Sequence, residues 1–411
     1  MTTTINNEHK KPNFSSEREQ SQACLNSAEH EKNQGRKVLN VPNLRFKEFE
    51  GEWEKCKFKD VCDTSTGNKN TQDKVDGGLF PFYVRSQNVE RINSWTFDGE
   101  AILTAGDGVG VGKVFHHTHG KIGVHQRVYI LSDFKCDANY LFHYFASNFF
   151  NRVKRMSAKN SVDSVRKEMI TEMPLCLPCQ LEQEKIGRLL SILDERIATQ
   201  SKVIEDLKKL KCAIIEKHYR QAKLHKYQIC DLGEPFSVGN LSKEDLSEDG
   251  YECVLYGELF TTYDSVINEV KSHTNKIANT TLSKKGDLLF PSSTTVDAIS
   301  LISPSVINIP NVVLGGDMFG IHIDKKFNAY YLSYYINIIA RKKLAMYAKG
   351  STIIHLHYKD IAKAQLLLPD LREQDRIAKC LMVEDNKINV EEQLLVKLEK
   401  QKQYLLRQMF I

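Results

Sequence analysis

The glycine-rich stretch Gly106-Asp-Gly-Val-Gly-Val-Gly112-Lys113 is the part of this sequence that invites comparison with a phosphate-binding loop. Such a loop needs a glycine five places before the final one, and a Ser or Thr after the lysine to hold magnesium. Asp107 and Val114 occupy those two positions, and the aligned segment Pro291–Val296 contains no glycine. The sequence therefore predicts a turn between two strands here, not a nucleotide site.

Cysteine and histidine clusters are the other candidates for a reactive site. Two residues separate Cys176 from Cys179, but the second pair that a zinc site needs is missing. The clustered histidines lack a carboxylate or thiolate at ligand spacing, which favours packing or surface roles; they are His116, His117, His119, His355 and His357. The sequence also lacks an Asn-Pro-Pro-aromatic segment for amino methylation, a Walker A motif and a Gly-x-Ser-x-Gly elbow. We therefore predict no catalytic residue, no metal and no cofactor in this chain.

Binding chemistry is present, in polar and basic side chains suited to DNA. Arg85-Ser-Gln-Asn88 could read base edges, while the aligned Tyr256–Leu259 differs, as expected either for halves that read different sequences or for drift on an inert surface. Basic clusters follow two equivalent helices and could hold phosphates or merely complement the helix dipole. The candidate DNA contacts are Arg85, Ser86, Gln87, Asn88, Lys113, Arg152, Lys154, Arg155, Lys159, Tyr256, Glu258, Ser292, Thr294, Arg341, Lys342, Lys343 and Lys349.

Length and composition limit the classes of protein that can present these residues. The 411 residues favour two or three domains, and the net charge of +5 is too small to indicate nucleic-acid binding without local patches. No apolar run approaches the roughly 18 residues of a membrane span. Residues 1–40 are polar and predict a disordered tail. Ten scattered cysteines and a start unlike a signal peptide favour the cytoplasm.

The elements that position the candidates come in two copies. A shift of 191 residues places Leu175-Cys-Leu-Pro-Cys-Gln-Leu-Glu-Gln-Glu-Lys-Ile186 on Leu366-Leu-Leu-Pro-Asp-Leu-Arg-Glu-Gln-Asp-Arg-Ile377. The alignment continues without a gap to Tyr219 on Phe410, and upstream Phe58-Lys-Asp-Val matches Ile229-Cys-Asp-Leu at an offset of 171. The chain is thus interpreted as a tandem duplication.

A helix of about forty residues follows each copy of this motif. Apolar residues recur there in alternating steps of four and three, which is typical of a coiled coil, whereas two separate surface helices of about 60 Å would be far too long for such small globules. The predicted seam consists of Ile186, Leu190, Leu193, Ile197, Ile204, Leu207, Ile214, Ile377, Leu381, Ile388, Leu395, Leu398 and Leu405.

These patterns predict an α+β protein in which two tandem mixed α/β domains are separated by two long helices that form an antiparallel coiled coil with a pseudo-twofold internal repeat. The expected boundaries are a tail at 1–40, a first globule at 41–175, a central helical region at 176–226, a second globule at 227–366 and a C-terminal helical region at 367–411. The helices would act as a rigid spacer for a long, periodic ligand such as duplex DNA.

Three features together resemble the DNA-specificity subunit of type I restriction-modification enzymes: the duplicated Leu-x-Leu-Pro-x-x-x-Glu-Gln-x-(Lys/Arg)-Ile segment, the heptad helix after each copy, and the opening Val41-Pro-Asn-Leu-Arg-Phe-Lys-Glu-Phe-Glu-Gly-Glu-Trp53. The resemblance covers residues 41–411. It implies two target recognition domains, each of which reads one half of a bipartite double-stranded DNA site.

The resemblance further implies two modification subunits that carry S-adenosylmethionine and methylate adenine, and two restriction subunits that use ATP and Mg. This chain would be the non-catalytic subunit of that methyltransferase and deoxyribonuclease complex. Two alternatives remain: a coiled-coil adaptor that joins two protein partners without reading DNA, and a single-chain restriction enzyme, which the missing methylase and nuclease motifs disfavour.

Overall fold

A computed structural model describes residues 40–157, 164–239 and 241–411 of this chain. Residues 1–39 of the predicted tail and the candidate Lys159 lie outside the described residues. The contacts divide the chain into two compact units. Unit 1 runs up to Glu195 and includes Lys400–Ile411, and unit 2 is Arg196–Glu399. Within the described residues, no helix is both long enough and apolar enough to cross a membrane.

In the described part of the first half, the chain contains eight strands and ends in a 42-residue helix. The strands are β1 Glu54–Lys57, β2 Asp63–Thr66, β3 Phe80–Tyr83, β4 Val89–Ile92, β5 Phe97–Ala105, β6 Phe115–Val124, β7 Val128–Ser132 and β8 Pro174–Leu177. The helices are α1 Phe58–Val61, α2 Ala138–Met156, α3 Lys167–Thr171 and α4 Gln180–Gln221. α4 therefore ends five residues before the predicted boundary at Lys226, which lies in the next strand.

Within residues 222–239 and 241–411, the second half contains fourteen shorter strands and ends in a 39-residue helix. The strands are β9 His225–Gln228, β10 Gly233–Ser237, β11 Leu246–Ser247, β12 Tyr251–Leu255, β13 Val266–Ile267, β14 Ser272–Thr274, β15 Thr281–Leu282, β16 Asp287–Pro291, β17 Ser293–Thr294, β18 Ser305–Ile307, β19 Val313–Gly315, β20 Met318–Ile323, β21 Ile354–His355 and β22 Gln365–Leu368. The helices are α5 Glu258–Thr261, α6 Ala298–Leu301, α7 Ala329–Tyr335, continued by a π-helical turn at Ile336–Ala340, then α8 Arg341–Ala345, α9 Tyr358–Ile361 and α10 Leu371–Met409.

Each unit is built on mixed sheets, in agreement with the predicted α/β composition of the globules. Unit 1 has a six-stranded sheet in the order β2-β7-β5-β6-β3-β4, in which only β3 and β6 pair in parallel. Unit 2 has two five-stranded sheets, β10-β20-β16-β18-β13 and β11-β14-β12-β19-β15. In unit 1, residues of α2 pack in one core cluster with Ile102 of β5 and Leu131 of β7. In unit 2, residues of α7 pack in the same way with β16, β18 and β20.

The core of unit 1 shows why α2 forms where it does. Asp137 caps the helix by accepting from the Tyr140 amide at 2.7 Å. Leu141, Phe145 and Phe149 then recur at helical spacing and are fully buried against the sheet. Burial of each such side chain stabilises the fold by about 1.5–3 kcal/mol. In unit 2, Asn328 caps α7 in the same way, accepting from the Tyr331 amide at 2.9 Å.

The motif that revealed the duplication makes the same contacts in each unit. Gln183 accepts from the Asp137 amide at 3.0 Å and donates to the Pro178 carbonyl at 2.8 Å. In unit 2, Gln374 accepts from the Asn328 amide at 3.0 Å and donates to the Pro369 carbonyl at 2.8 Å. Both glutamines are buried. Each therefore ties the start of a long helix to the start of the globule helix beneath it.

Gly187, the one glycine of α4, lies against the start of α2. A Cβ atom there would come within 2.5 Å of the Asp137 carboxylate and 2.8 Å of the Tyr140 amide nitrogen. Only a residue without a side chain permits this approach. The glycine that interrupts the helix pattern is therefore explained by packing.

Candidate nucleic-acid interface

Four loops of unit 1 meet where β3 and β5 end: residues 67–70, 84–88, 106–114 and 125–127. The Gly106 amide donates to the Arg127 carbonyl at 2.8 Å, and the Gln126 amide donates to the Lys69 carbonyl at 2.8 Å. The Gln126 side chain also donates to Asn70 at 2.6 Å. Distant parts of the sequence thus form one polar surface, defined by Lys69, Arg85, Asp107, Gln126 and Arg127 and named here the unit 1 loop surface.

An ion pair organises this surface. Arg85 Nη1 lies 2.7 Å from Asp107 Oδ1, and Arg127 Nε lies 3.7 Å from Asp107 Oδ2. The side chain of Arg85 is 46% exposed, whereas that of Asp107 is 24% exposed. Burial, reinforced by the positive charge of Arg85, lowers the pKa of the neighbouring His125. The surface is therefore cationic at its edge and carries one carboxylate at its centre.

The glycine-rich turn at residues 106–113 carries an exposed apolar residue at its tip. It connects β5 to β6, as predicted. Val109 is 97% exposed, while Val111, two residues later, is buried. A Cβ atom at Gly110 would come within 2.4 Å of the Arg85 carbonyl oxygen, so the turn lies directly against the Arg85 backbone. The tip is thus held on a packed base and projects from it.

The other candidates of the 84–88 loop face solvent with few internal contacts. The Ser86 hydroxyl donates to the Asn88 carbonyl at 3.1 Å, and Gln87 donates to the Phe115 carbonyl at 3.5 Å. His116 packs against this loop, with its Nε2 3.2 Å from the Ser86 carbonyl, which agrees with the packing role predicted for it. Gln87 and Asn88 are exposed and available to a ligand.

The basic residues at the end of α2 differ in what they contact. Arg152 donates to the Met169 carbonyl at 2.6 Å and to the Glu172 carbonyl at 2.8 Å, so its guanidinium fastens the segment around α3. Burial lowers its pKa. Its guanidinium thus has an internal role, which disfavours the phosphate contact predicted for it. Lys154 and Arg155 are exposed, as is Lys113, whose ammonium lies 5.8 Å from the Phe150 ring centre.

In unit 2, four of the candidates line a cleft of about 760 Å³: Tyr256, Glu258, Thr294 and Arg341. Arg341 donates to the Ile299 carbonyl at 2.9 Å. Val296, in the loop after β17, is 73% exposed at the edge of this cleft. Its place after the strand β16 is comparable to that of Val109 after β5 in unit 1. Each unit thus presents an exposed valine beside polar side chains.

Several candidates of unit 2 already contact other parts of the protein. Glu258, in the cleft lining, accepts from the Leu255 amide at 2.7 Å and from Ser272 at 2.6 Å, and Ser292 is buried. These observations disfavour the DNA contacts predicted for Glu258 and Ser292. Lys343 donates to the Gln365 carbonyl at 2.7 Å, and Lys349 pairs with Asp360 at 2.6 Å. Lys342 is exposed.

The predicted seam divides between globule cores and contacts of one long helix with the other. Ile186 and Leu190 belong to the unit 1 core, and Ile377 and Leu381 belong to the unit 2 core, because the start of each helix lies on its own globule. Contacts between the two helices within unit 2 involve Ile204, Leu207, Ile388 and Leu395. Leu193 and Leu398 are also buried, whereas Ile197, Ile214 and Leu405 are half-buried.

Polar pairs accompany this apolar contact in unit 2. Gln200 donates to Glu391 at 2.6 Å, and Lys211 donates to Asp385 at 2.5 Å. The later residue of α4 thus pairs with the earlier residue of α10. In unit 1, Lys402 pairs with Asp194. Lys211 and Asp385 each lie 191 residues from a member of that second pair, so the interaction is repeated at the duplication offset.

A third side chain lies beside each Lys–Asp pair, and its residue type differs between the units. Tyr334 donates to Asp385 at 2.5 Å in unit 2. The equivalent residue in unit 1 is the buried His143, whose Nδ1 lies 3.8 Å from Asp194, beyond hydrogen-bond distance. Burial, with the nearby Lys402 charge, lowers the pKa of His143 to about 3. His143 is therefore neutral at physiological pH.

Comparison with known families decides between DNA reading and simple bridging. A family model described as the type I restriction modification DNA specificity domain matches residues 50–209 and again residues 224–400. The chain belongs to this family. It contains two DNA-specificity domains in tandem, and the resemblance inferred from the duplicated motif is confirmed.

Individual relatives agree with this assignment. The EcoDI specificity subunit of a type I restriction enzyme from Escherichia coli is 26% identical over 168 residues, which are 40% of this chain and 37% of that protein. The MjaVIII specificity subunit from Methanocaldococcus jannaschii is 25% identical over 408 residues, 88% of this chain and 94% of that protein. For the putative MjaX specificity subunit of the same organism, the match spans 64% of its length.

A solved structure extends the comparison to the fold. The type I restriction-modification S subunit from M. genitalium superposes with a TM-score of 0.65 at 15% identity, covering 90% of this chain and 99% of that one. This chain thus has the same overall fold as that S subunit. Within residues 40–157, 164–239 and 241–411, no group of three or more His, Cys, Asp or Glu side chains is placed to hold a metal.

Sequence reasoning missed Lys69, Gln126, Arg127 and the two exposed valines. The polar residues stand on turns more than fifty residues apart, and only the sheet order brings them together. The available signal was weak: Lys69 and Gln126 each lie beside a strand end and lack an apolar neighbour pattern of their own. Val109 was overlooked because a valine in a glycine-rich turn suggests packing.

Proposed function

We propose that this chain is the specificity subunit of a type I restriction-modification complex, with each DNA-specificity domain reading one half of a bipartite duplex target. The observation that carries the proposal is the family match, which occurs twice and covers both globules. The unit 1 loop surface and the unit 2 cleft both offer exposed polar, basic and apolar groups, the chemistry that reads base edges. Different side chains in the two places suit two different half-sites.

The long helices act as spacer and as docking surface for the modification subunits. The heptad pattern, the apolar cluster of Ile204, Leu207, Ile388 and Leu395, and the repeated Lys–Asp pairs support an antiparallel coiled coil with pseudo-twofold symmetry. Polar pairs inside such a seam fix register at some cost in stability. A fixed register gives the two half-sites a fixed spacing.

Chemistry belongs to the partner subunits in this proposal. Two modification subunits supply S-adenosylmethionine and methyl transfer, and restriction subunits supply ATP and Mg-dependent translocation and cleavage. The complex works in the cytoplasm, where its DNA is. Purified without partners, this chain neither methylates nor cuts DNA.

A gel-shift assay of the chain bound to its modification subunits distinguishes this function from that of an adaptor. The specificity subunit predicts retention of genomic fragments that carry one bipartite sequence, with binding that survives excess nonspecific duplex. An adaptor predicts the same protein complex without any sequence preference. The second outcome would overturn the proposal even if the subunits assemble.

A further inference from the structure

The unit 1 loop surface contains an arginine and an aspartate whose arrangement indicates which base pair they recognise. Arg85 Nη1 donates to Asp107 Oδ1 at 2.7 Å. Among the described residues, this is the only hydrogen bond of the Arg85 guanidinium. The N–H groups of Nε and Nη2 therefore remain available to a ligand, and almost half of the side chain is exposed. An arginine held in this way loses little conformational freedom when it binds a ligand.

Asp107 is itself fixed from both sides. It begins the short 3-10 turn Gly108–Gly110, and its backbone pairs with Ser164, while the Val165 amide donates to the Gly106 carbonyl at 2.7 Å. Gly108 has a left-handed φ of +73°, and a Cβ atom there would lie 3.9 Å from Arg85 Nη1. The turn therefore folds back over the guanidinium and presents the carboxylate to it.

The pair is poorly suited to a phosphate and well suited to a base pair. A carboxylate beside the guanidinium repels a phosphate, whereas the major-groove edge of a G·C pair offers the guanine N7 and O6 acceptors next to the cytosine N4 donor. Arginine donors and a carboxylate acceptor, side by side, complement that edge. Other base pairs present a different order of donors and acceptors.

We infer that Arg85, positioned by Asp107, reads a G·C pair in the half-site of the first DNA-specificity domain. The inference rests on the proposed function and adds the identity of one base pair. Arg85 is the contacting residue, and Asp107 acts both through Arg85 and as an acceptor for the cytosine amine.

The test uses the full chain assembled with its modification subunit and a duplex library that is randomised over the target, with methylated molecules sequenced. The wild-type complex should require G·C at one position of one half-site. Arg85→Ala should lower discrimination at that position on the order of ten- to a hundredfold and leave the other half-site unchanged. Arg85→Lys keeps the charge but lacks the fork, so it should bind DNA while losing the same preference.

Asp107→Asn separates positioning from charge, because it retains an acceptor for Arg85 and adds donors that do not suit cytosine N4. It should weaken the preference at the same position without removing it. Lys121→Ala is the matched control, since Lys121 is an exposed cation of β6 that pairs with Asp98, at the end of β5 away from Asp107. Its motif should equal that of the wild type.

Three results overturn the inference while leaving the proposed function intact. The first is an unchanged motif in Arg85→Lys, and the second is a wild-type motif without a G·C requirement. The third is that the Arg85 variants lose affinity equally for all sequences and show a smaller salt dependence, which indicates a phosphate contact. A wild-type complex that methylates no bipartite sequence overturns the proposed function itself, and this inference with it.

Discussion

The basic residues at the end of α2 are of two kinds: some are hydrogen-bonded to another segment of the protein, and others are exposed and free to contact DNA. Lys154 and Arg155 end α2 with exposed side chains, whereas Arg152, two residues earlier, is bound to two backbone carbonyls. Sequence treated these three alike because helix-end cations look the same in one dimension. Only the position of the α3 segment separates them.

Neutralising Lys154 and Arg155 together should weaken binding to all DNA sequences alike. Each lost phosphate contact reduces the slope of log affinity against log salt by about one, so the double change K154Q/R155Q should reduce it by up to about two. Affinity measured over a salt series checks this. Arg152→Met is the contrast: it should lower the free energy of unfolding by about 2 kcal/mol and leave the salt slope alone. Unaltered affinity and slope in the double variant would show that the pair has no phosphate role.

Val109 and Val296 allow a prediction about apolar reading. A projecting valine beside polar readers suits contact with a thymine methyl group. Val109→Ser should relax one position of one half-site, and Val296→Ser one position of the other, each by about 1 kcal/mol. The methylated motif of each complex measures this. Leu79→Ser serves as the control, since Leu79 is 72% exposed at the opposite end of β3. A change in both half-sites from either valine would count against separate reading.

At the scale of elements, the sequence predicted the long helices well because their pattern is local. The heptad steps and the absence of proline define α4 and α10 over most of their lengths. What a given seam residue contacts depends on the globule beneath it. Ile215, outside the predicted seam, is fully buried in the unit 2 core, while Ile186 and Leu190 contact their own globule. Periodicity identifies an apolar face and cannot name its partner.

The buried His143, which lies near Asp194, leads to a prediction about how the stability of unit 1 depends on pH. Its pKa is about 3 in the folded chain and about 6.5 when unfolded, so the unfolded state binds more protons between these values. Stability is therefore complete above about pH 6.5 and falls as the pH drops towards 3, by about 2 kcal/mol at pH 5.

His143→Tyr should remove this dependence, because tyrosine occupies the equivalent place in unit 2 and donates to the aspartate there. Hydrogen exchange of the α2 amides at pH 5 and pH 8 reports the stability of unit 1. The wild type should lose protection at pH 5 relative to the variant, and the two should differ much less in their pH response above pH 7. Equal pH responses would mean that His143 already binds a proton in the folded chain.

At the scale of the whole molecule, the duplication makes a fragment testable. In unit 1 the end of α10 contributes Leu405 and Met409 to the core, and Phe410 directly after it also packs there. The residues 191 positions earlier are Ile214, His218 and Tyr219, in the last turns of α4. Ile214 and Tyr219 pack on the unit 2 core in the corresponding way. The two helix ends are thus interchangeable in size and chemistry at two of three positions.

Residues 41–226, expressed with the modification subunit, should therefore form a symmetric complex with two copies of the fragment, each completing the other's core. That complex should methylate an inverted repeat of the first half-site. The assembly is expected to be weaker than the intact subunit, since joining separate chains costs several kcal/mol. Mass measurement and methylation mapping together check the outcome. One fragment per complex, or a motif that is not palindromic, would show that the halves are not equivalent modules.

The central claim is that this chain, with two DNA-specificity domains, gives a methylation complex its target. Sequencing of methylated bases in the genome, in cells with and without the gene for this chain, tests that claim most directly. The account predicts one bipartite motif, two short specific halves around a fixed nonspecific spacer, that is methylated only when the gene is present. Methylation at the same sites in both strains, or a continuous unsplit motif, would contradict it.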